Sequence, residues 1–542
     1  MFLSNESQGS SRKSIDAPER NPDGKTMPKG QIPSPPGEAF SENAKAVARP
    51  AEISHSLANL FLEGNFAPIE NEYTLTHNAD FEIRGKIPKD LNGSFYRNGP
   101  NPQHAPGENY HWFLGDGMVH AFHFKRGEVS YRNRYMRTPT FEIEKRAGRN
   151  IFLEGGFNPL AQLSLLGGNF LSLLSGLVRH GNADVYTRLI AKANTSLVAF
   201  REEVYALVES SPPWKINPAT LESFGFENFD AHFIAPFSAH PKIDPTSGYL
   251  YNFGYRVSGK PKLEYFVVNP SGKLVGRTAI DTPYHAMVHD FVITRNYAVL
   301  PVFPAVASLS SLRKGRIAEW QPQKGAFVYV LAKAGDKESL RRFEMPPCYI
   351  YHYANAYEDG KAIVFDAVRY ESLPLMGDDS AARRELFQRE NNGTLTRFRL
   401  DLVSGKVEET PLSADLAVEF PVIDNRLTGE NYEHTFAGAA KAATSAGFFD
   451  RQAAFDMAKG KMRIETSEFP QGHFGGEPIF VPTGKPGQKK GYLLNLIYDS
   501  GNEVSYLGIW DAARIDKKPV CEIGLKHRIP YGFHGLWRPY RA

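Results

Sequence analysis

Four of the chain's sixteen histidines stand in apolar text. His240 ends Phe237-Ser238-Ala239-His240-Pro241, His289 lies in Ala286-Met287-Val288-His289-Asp290-Phe291, His352 in Tyr349-Ile350-Tyr351-His352-Tyr353, and His534 in Gly532-Phe533-His534-Gly535. Any one of them, taken alone, reads as a hydrogen-bonded core histidine. Their separations of 49, 63 and 182 residues match no local metal signature such as His-Glu-x-x-His, so a shared site has to be assembled from distant segments. An all-imidazole site with no carboxylate touching the ion suits Fe(II), Zn(II) or Cu rather than Mg or Ca. A metal-bound histidine usually donates its other ring N–H to an acceptor that fixes tautomer and direction. Three carboxylates in apolar runs fit that need: Glu209 after Tyr205-Ala206-Leu207-Val208, Glu419 in Ala417-Val418-Glu419-Phe420-Pro421, and Glu477 in Gly476-Glu477-Pro478-Ile479. Each alone reads equally as a strand-edge carboxylate paired with lysine or water.

Other chemistries have less support. There is no Gly-x-x-x-x-Gly-Lys-Ser/Thr, no strand-linked Gly-x-Gly-x-x-Gly and no Gly-x-Ser-x-Gly, which leaves nucleotide cofactors and a serine hydrolase without a motif. The two cysteines, Cys348 and Cys521, cannot make a disulfide framework or a thiolate zinc cage. Sixty-three Lys and Arg against 60 Asp and Glu leave a formal charge of +3 over 542 residues, too small a surplus for a nucleic-acid footprint.

The elements that must position these side chains are β-strands. Gly and Pro number 47 and 38, which implies many turns joining short elements. One turn phrase recurs: Ile216 meets Asn217-Pro218, Ile243 meets Asp244-Pro245 and Gly248, Val268 meets Asn269-Pro270-Ser271-Gly272, and Leu400 meets Asp401 and then Ser404-Gly405. Asn or Asp opens the turn with its side chain and Gly supplies the positive φ, so each phrase predicts a hairpin. Alternating runs such as Met118–Phe124, Ala298–Val302, Phe327–Val330 and Tyr492–Tyr498 carry no long helical periodicity between them. About 450 residues of hairpins without an internal boundary suit a closed radial repeat, a β-propeller, of unspecified blade number. In a propeller the strands nearest the axis converge, and one inward histidine per blade would build the metal site.

Two segments break the pattern. Residues 1–50 are rich in Ser, Pro, Gly, Asn and Lys and predict a disordered extension, leaving 51–542 as a single domain. The extension lacks the apolar core of a secretory signal and carries Glu6, Asp16, Glu19 and Asp23, so a cytoplasmic protein is expected. Gly155 to Val178 contains no charged residue, repeats Leu163, Leu166, Phe170, Leu173 or Leu174, and Leu177 at helical spacing, and is flanked by Arg146, Arg149, Arg179 and Arg188. It reads either as a segment that dips into a membrane interface or as helices buried against the propeller.

The phrases Gly93-Ser94-Phe95-Tyr96-Arg97-Asn98-Gly99-Pro100, Gly115-Asp116-Gly117-Met118, Arg134-Tyr135-Met136-Arg137-Thr138 and His527 to Gly535, in this order and spacing, make the chain resemble the carotenoid cleavage oxygenase family. The resemblance implies a seven-bladed propeller with a helical and loop cap over the metal-containing face and an apolar substrate tunnel. It implies Fe(II) held by His240, His289, His352 and His534, and it implies that Glu209, Glu419 and Glu477 orient His289, His352 and His534, with no such partner for His240. Thr195 resembles the small residue that shields one of two open iron positions.

The activity so implied is dioxygenase cleavage of a conjugated C=C bond of a carotenoid or apocarotenoid to two carbonyl products. The partners are then O2, an apolar polyene and, through 155–178, a membrane surface, with no nucleic acid. Two alternatives stand beside it: cleavage of a phenylpropene or stilbene by the same site, and a non-catalytic propeller that binds a lipid or a protein. Stilbene cutters carry a lysine in an Arg-Thr-Glu-Lys-Phe phrase. Here the stretch is Arg137-Thr138-Pro139-Thr140-Phe141, which disfavours phenolic stilbenes.

Overall fold

The recurring turn phrases fold alike in a computed structural model of the chain. Asn269 Oδ1 accepts from the amides of Ser271 and Lys273 at 3.1 and 2.9 Å, and Asp401 Oδ1 does the same for Val403 and Ser404 at 2.9 and 2.7 Å. Asp244 and Asn217 repeat the arrangement. Gly272 closes its turn at φ 86°, whereas Leu221 takes the equivalent left-handed conformation at φ 63°, where a Cβ is disfavoured. The side chain thus braces the reversal at each of these four turns, and the strands pair across it, as Val268 does with Leu274.

The structure describes residues 59–107, 110–151, 191–230, 237–256, 259–308, 310–311, 317–374, 393–413, 415–441, 449–457 and 462–540. The expected extension 1–50 and the apolar segment 155–178 lie outside them. The described residues belong to one unit, Leu57–Ala542.

Seven antiparallel sheets of four or more strands follow one another along the described chain, and they are the blades of a seven-bladed propeller. Blade 1 holds strands within 74–135, blade 2 within 196–226, blade 3 within 242–281, blade 4 within 292–345, blade 5 within 349–411, blade 6 within 416–468 and blade 7 within 473–524. Both chain ends close the ring. Glu82–Gly85 pairs with Cys521–Gly524 as the outer strand of blade 7, and Gly535–Pro539 pairs with Gly93–Arg97 as the inner strand of blade 1.

Every blade is buried on both faces because successive side chains of a strand point to opposite sides. In blade 4, Val328 and Val330 join a cluster with Ile363 and Phe365 of blade 5, whereas Phe327, Tyr329 and Leu331 join one with Phe253 and Tyr265 of blade 3. The core is therefore a ring of wedges between blades. A short α-helix, Pro139–Ala147, starts at Thr138, whose hydroxyl accepts from the Phe141 amide at 3.3 Å, and ends at Gly148 with φ 66°.

Candidate metal centre

The histidines do not sit on regular strand as their alternating surroundings suggest. His240, His289 and His534 lie just before the innermost strands of blades 3, 4 and 1, which begin at Lys242, Val292 and Gly535. His352 is on the innermost strand of blade 5, Tyr349–Asp359, where the register shifts between Ile350 and Tyr353. The reason is geometric. A side chain in a regular strand stands perpendicular to its sheet and so points at the neighbouring blade. Only a strand's first residue or a bulge can turn a side chain in the plane of the blade, toward the axis.

Two of the three glutamates obey the same rule. Glu419 is at a register shift in the innermost strand of blade 6, and Glu477 fills the break between His473–Gly475 and Ile479–Pro482 of blade 7, both of which pair with Gly491–Asp499. Glu209 follows the second strand of blade 2, Glu203–Leu207. Each of the seven blades thus supplies one of these seven residues.

The four imidazoles converge. One ring nitrogen from each lies within 4.8 Å of all the others. His289 Nε2 is 3.0 Å from His240 Nε2 and 3.1 Å from His352 Nε2, and His534 faces His240 and His352 with ring centroids 4.6 and 4.7 Å away. Behind them, His289 Nδ1 meets Glu209 Oε1, His352 Nδ1 meets Glu419 Oε2 at 2.5 Å and His534 Nδ1 meets Glu477 Oε1 at 2.9 Å. A carboxylate accepts, so these three Nδ1 atoms carry the proton and the Nε2 lone pairs point inward. If both rings are neutral, two Nε2 lone pairs 3.1 Å apart, as in His289 and His352, have no proton to share, and a cation between the rings would satisfy them.

The carboxylates are anchored in turn. Tyr255 OH reaches Glu209 at 3.5 Å and Tyr370 OH donates to Glu419 at 3.0 Å. Glu477 accepts from the Gly535 amide at 2.5 Å and pairs with Arg97, which is 2% exposed and also donates to the Phe533 carbonyl at 2.7 Å.

Electrostatics agree with a cation. Burial, reinforced by the neighbouring imidazoles, holds His240 and His534 well below the usual histidine range. Burial works the same way on His289, but Glu209 outweighs it and raises the ring. Burial pushes the Glu477 carboxyl up to about 7 in spite of Arg97 and the Gly535 amide. With Glu477 paired to Arg97, the Glu209 and Glu419 carboxylates behind the imidazoles supply negative charge in a buried site, which a divalent ion would offset.

Thr195 is half-buried beside this cluster. Its carbonyl accepts from the His534 amide at 3.2 Å, and its hydroxyl donates to Asn194 Oδ1 at 3.0 Å. Two site features escaped the sequence reading. Arg97 lies in the quoted phrase Gly93–Pro100, and a charge inside an apolar strand was its only signal. Phe420 packs on His352 and His534 with centroids 5.2 Å from each and has φ 55° directly before Pro421, a conformation disfavoured for any residue preceding proline. Nothing in the sequence signals that strain.

The family model described as retinal pigment epithelial membrane protein matches residues 66–539. The carotenoid 9,10(9',10')-cleavage dioxygenase 1 of Pisum sativum is 31% identical over 506 residues, covering 89% of this chain and 90% of the relative. Isoeugenol monooxygenase of Pseudomonas nitroreducens is 32% identical over 496 residues, covering 88% of this chain and 98% of its own. In three dimensions the chain is similar to the lignostilbene dioxygenase of Pseudomonas brassicacearum, with a TM-score of 0.77 at 27% identity over 90% of this chain and 100% of that one. Fold, site geometry and sequence identity thus converge: the chain belongs to the carotenoid cleavage oxygenase family, which includes the retinal pigment epithelial membrane protein.

Proposed function

We propose that the protein is an Fe(II)-dependent dioxygenase that cleaves a conjugated C=C bond of a carotenoid or apocarotenoid. The observation that carries this is the set of four inward Nε2 atoms, three of them backed by carboxylates on Nδ1. A neutral nitrogen donor set leaves a divalent ion its full charge and excludes the oxygen-seeking Mg and Ca. When bound, Fe(II) supplies the redox chemistry that makes O2 reactive toward an alkene.

The chain's residues do the rest. His240, His289, His352 and His534 hold the ion, and Glu209, Glu419 and Glu477 keep the Nδ1 protons of the last three in place. Phe420, with Phe449 at 6.1 Å, makes one wall apolar and excludes water. Thr195 narrows the approach beside His534. The reaction consumes one C=C bond and one O2 and yields two C=O bonds, so it needs neither an external reductant nor a protein acid or base. Where the alkene stops relative to the imidazoles then decides which bond breaks.

A second reading, cleavage of a phenylpropene, is favoured by the 32% identity to isoeugenol monooxygenase. Thr140 in place of lysine argues against a phenolic stilbene.

The test is to purify the full chain anaerobically, measure iron, and incubate it with an apocarotenal, isoeugenol and a hydroxystilbene in parallel. Near-stoichiometric iron and aldehydes from the apocarotenal are expected. Products from isoeugenol alone would replace the first reading by the second, and absence of iron would reject both.

A further inference from the structure

Among the described residues, His240 is the one imidazole of the four with no carboxylate on its ring. Its neighbours are tied to those of the other ligands instead. Lys242, two residues on, directs Nζ to Asp290 Oδ1 at 2.8 Å. Asp290 directly follows His289 and is 2% exposed. Its Oδ1 also accepts from the Phe291 amide at 2.7 Å, and its Oδ2 accepts from the amide of Tyr353, the residue after His352, at 3.1 Å. One carboxylate therefore contacts the chain beside three imidazoles that come from three blades. A second link runs alongside it: the Ser238 hydroxyl accepts from the His240 amide at 3.1 Å and donates to the His289 carbonyl at 3.3 Å.

A buried ion pair contributes little net stability, because desolvation offsets its attraction. What it does supply is direction, since charge-assisted bonds on both carboxylate oxygens fix the side chain and whatever it touches. We propose that Asp290, held by Lys242, is a positioning residue that sets the spacing of His240 against His289 and His352 through the chain beside each of them. This rests on the four imidazoles being metal ligands.

The experiment uses the full chain, metal-free and titrated with Co(II), as wild type, Asp290→Asn, Lys242→Met and Lys242→Arg. Asparagine keeps the volume of Asp290 but loses the charge that holds Lys242. Lys242→Met keeps an apolar stem beside the Phe291 ring, 6.0 Å from Nζ in the native chain, and covers the case in which Asp290→Asn does not fold. Both variants are expected to bind Co(II) about 10–100-fold more weakly than wild type and to shift its visible absorption bands. Lys242→Arg, which keeps the ion pair, is expected to restore most of the affinity. Unchanged Co(II) affinity and bands, with only the melting temperature of the metal-free variants lowered, would overturn the proposal and leave the pair a fold element. A wild type that takes up no Co(II) would overturn the four-imidazole reading, and this proposal with it.

Discussion

Glu419 shows how much one side chain carries in this site. Its two oxygens accept from the His352 ring, the Tyr370 hydroxyl and the Phe420 amide, and these bonds outweigh burial to keep the carboxyl below its usual range. Glutamine offers one acceptor to those three donors. Glu419→Gln is therefore expected to weaken metal binding by about 10–100-fold, measured by competition with a chromophoric chelator. Residues other than the metal-facing histidines also make the fold sensitive to acid. Burial lowers His120 to about 3 and His123 and His527 to about 4. Each binds its proton more weakly when folded than when unfolded, so the unfolded chain takes up more protons between about 4 and the ordinary value of 6.5. Stability from these three is complete above that window and is lost as pH falls through it. Urea midpoints recorded from pH 7 to 4.5 should fall, and His123→Gln should flatten the slope by up to one proton.

At the scale of elements, the site depends on irregular strand ends, and close backbone approach holds those ends. Before His534, the Phe533 amide donates to the Asn98 carbonyl at 2.8 Å and the Asn98 amide donates to the His534 carbonyl at 3.0 Å. Gly532 lets this happen: a Cβ there would sit 2.6 Å from Asn98 O and 3.1 Å from Arg97 Cγ. Backbone and a fully packed arginine give way poorly. Gly532→Ala should therefore cost about 1–3 kcal/mol and move His534 away from Glu477. A lowered melting temperature together with lowered iron content is the expected result. Normal iron in a destabilised variant would show that the strand end moves without its imidazole.

At the scale of the whole molecule, a radial repeat places one short irregularity per blade at a common axis. Seven residues spread from position 209 to 534 can then share one centre. The inner strand Gly535–Pro539 follows His534 immediately, so one of the two pairings that close the ring also anchors the fourth imidazole. On the proposed function a carotenoid would reach that centre from a bilayer, and the uncharged segment 155–178 with its flanking arginines has the composition of an interfacial contact. No helix among the described residues is long and apolar enough to cross a membrane. Replacing Leu173 and Leu174 together by glutamate is expected to abolish co-sedimentation with anionic liposomes at unchanged iron content. Retained binding would remove the membrane role.

Residue chemistry was legible in the chain itself. Turn phrases such as Asn269 to Gly272 specify hairpins because the bonds they make are local, and that local grammar, repeated without long helices, already points to a propeller. Histidines and glutamates in apolar text are visible for the same reason: a polar group among apolar neighbours needs a partner wherever it is buried. Apart from the pairings that the family resemblance implies, residue chemistry does not say which partner. His289 meets a glutamate 80 residues away and His534 one 57 residues away, and Asp290 reaches two other blades, because distance along the chain says nothing about angle around the axis. The departures of Phe420 and the residues around His352 from regular strand are likewise tertiary. They arise because a side chain can point at the axis only where the pleat is interrupted, and only closure of the ring says where the axis is.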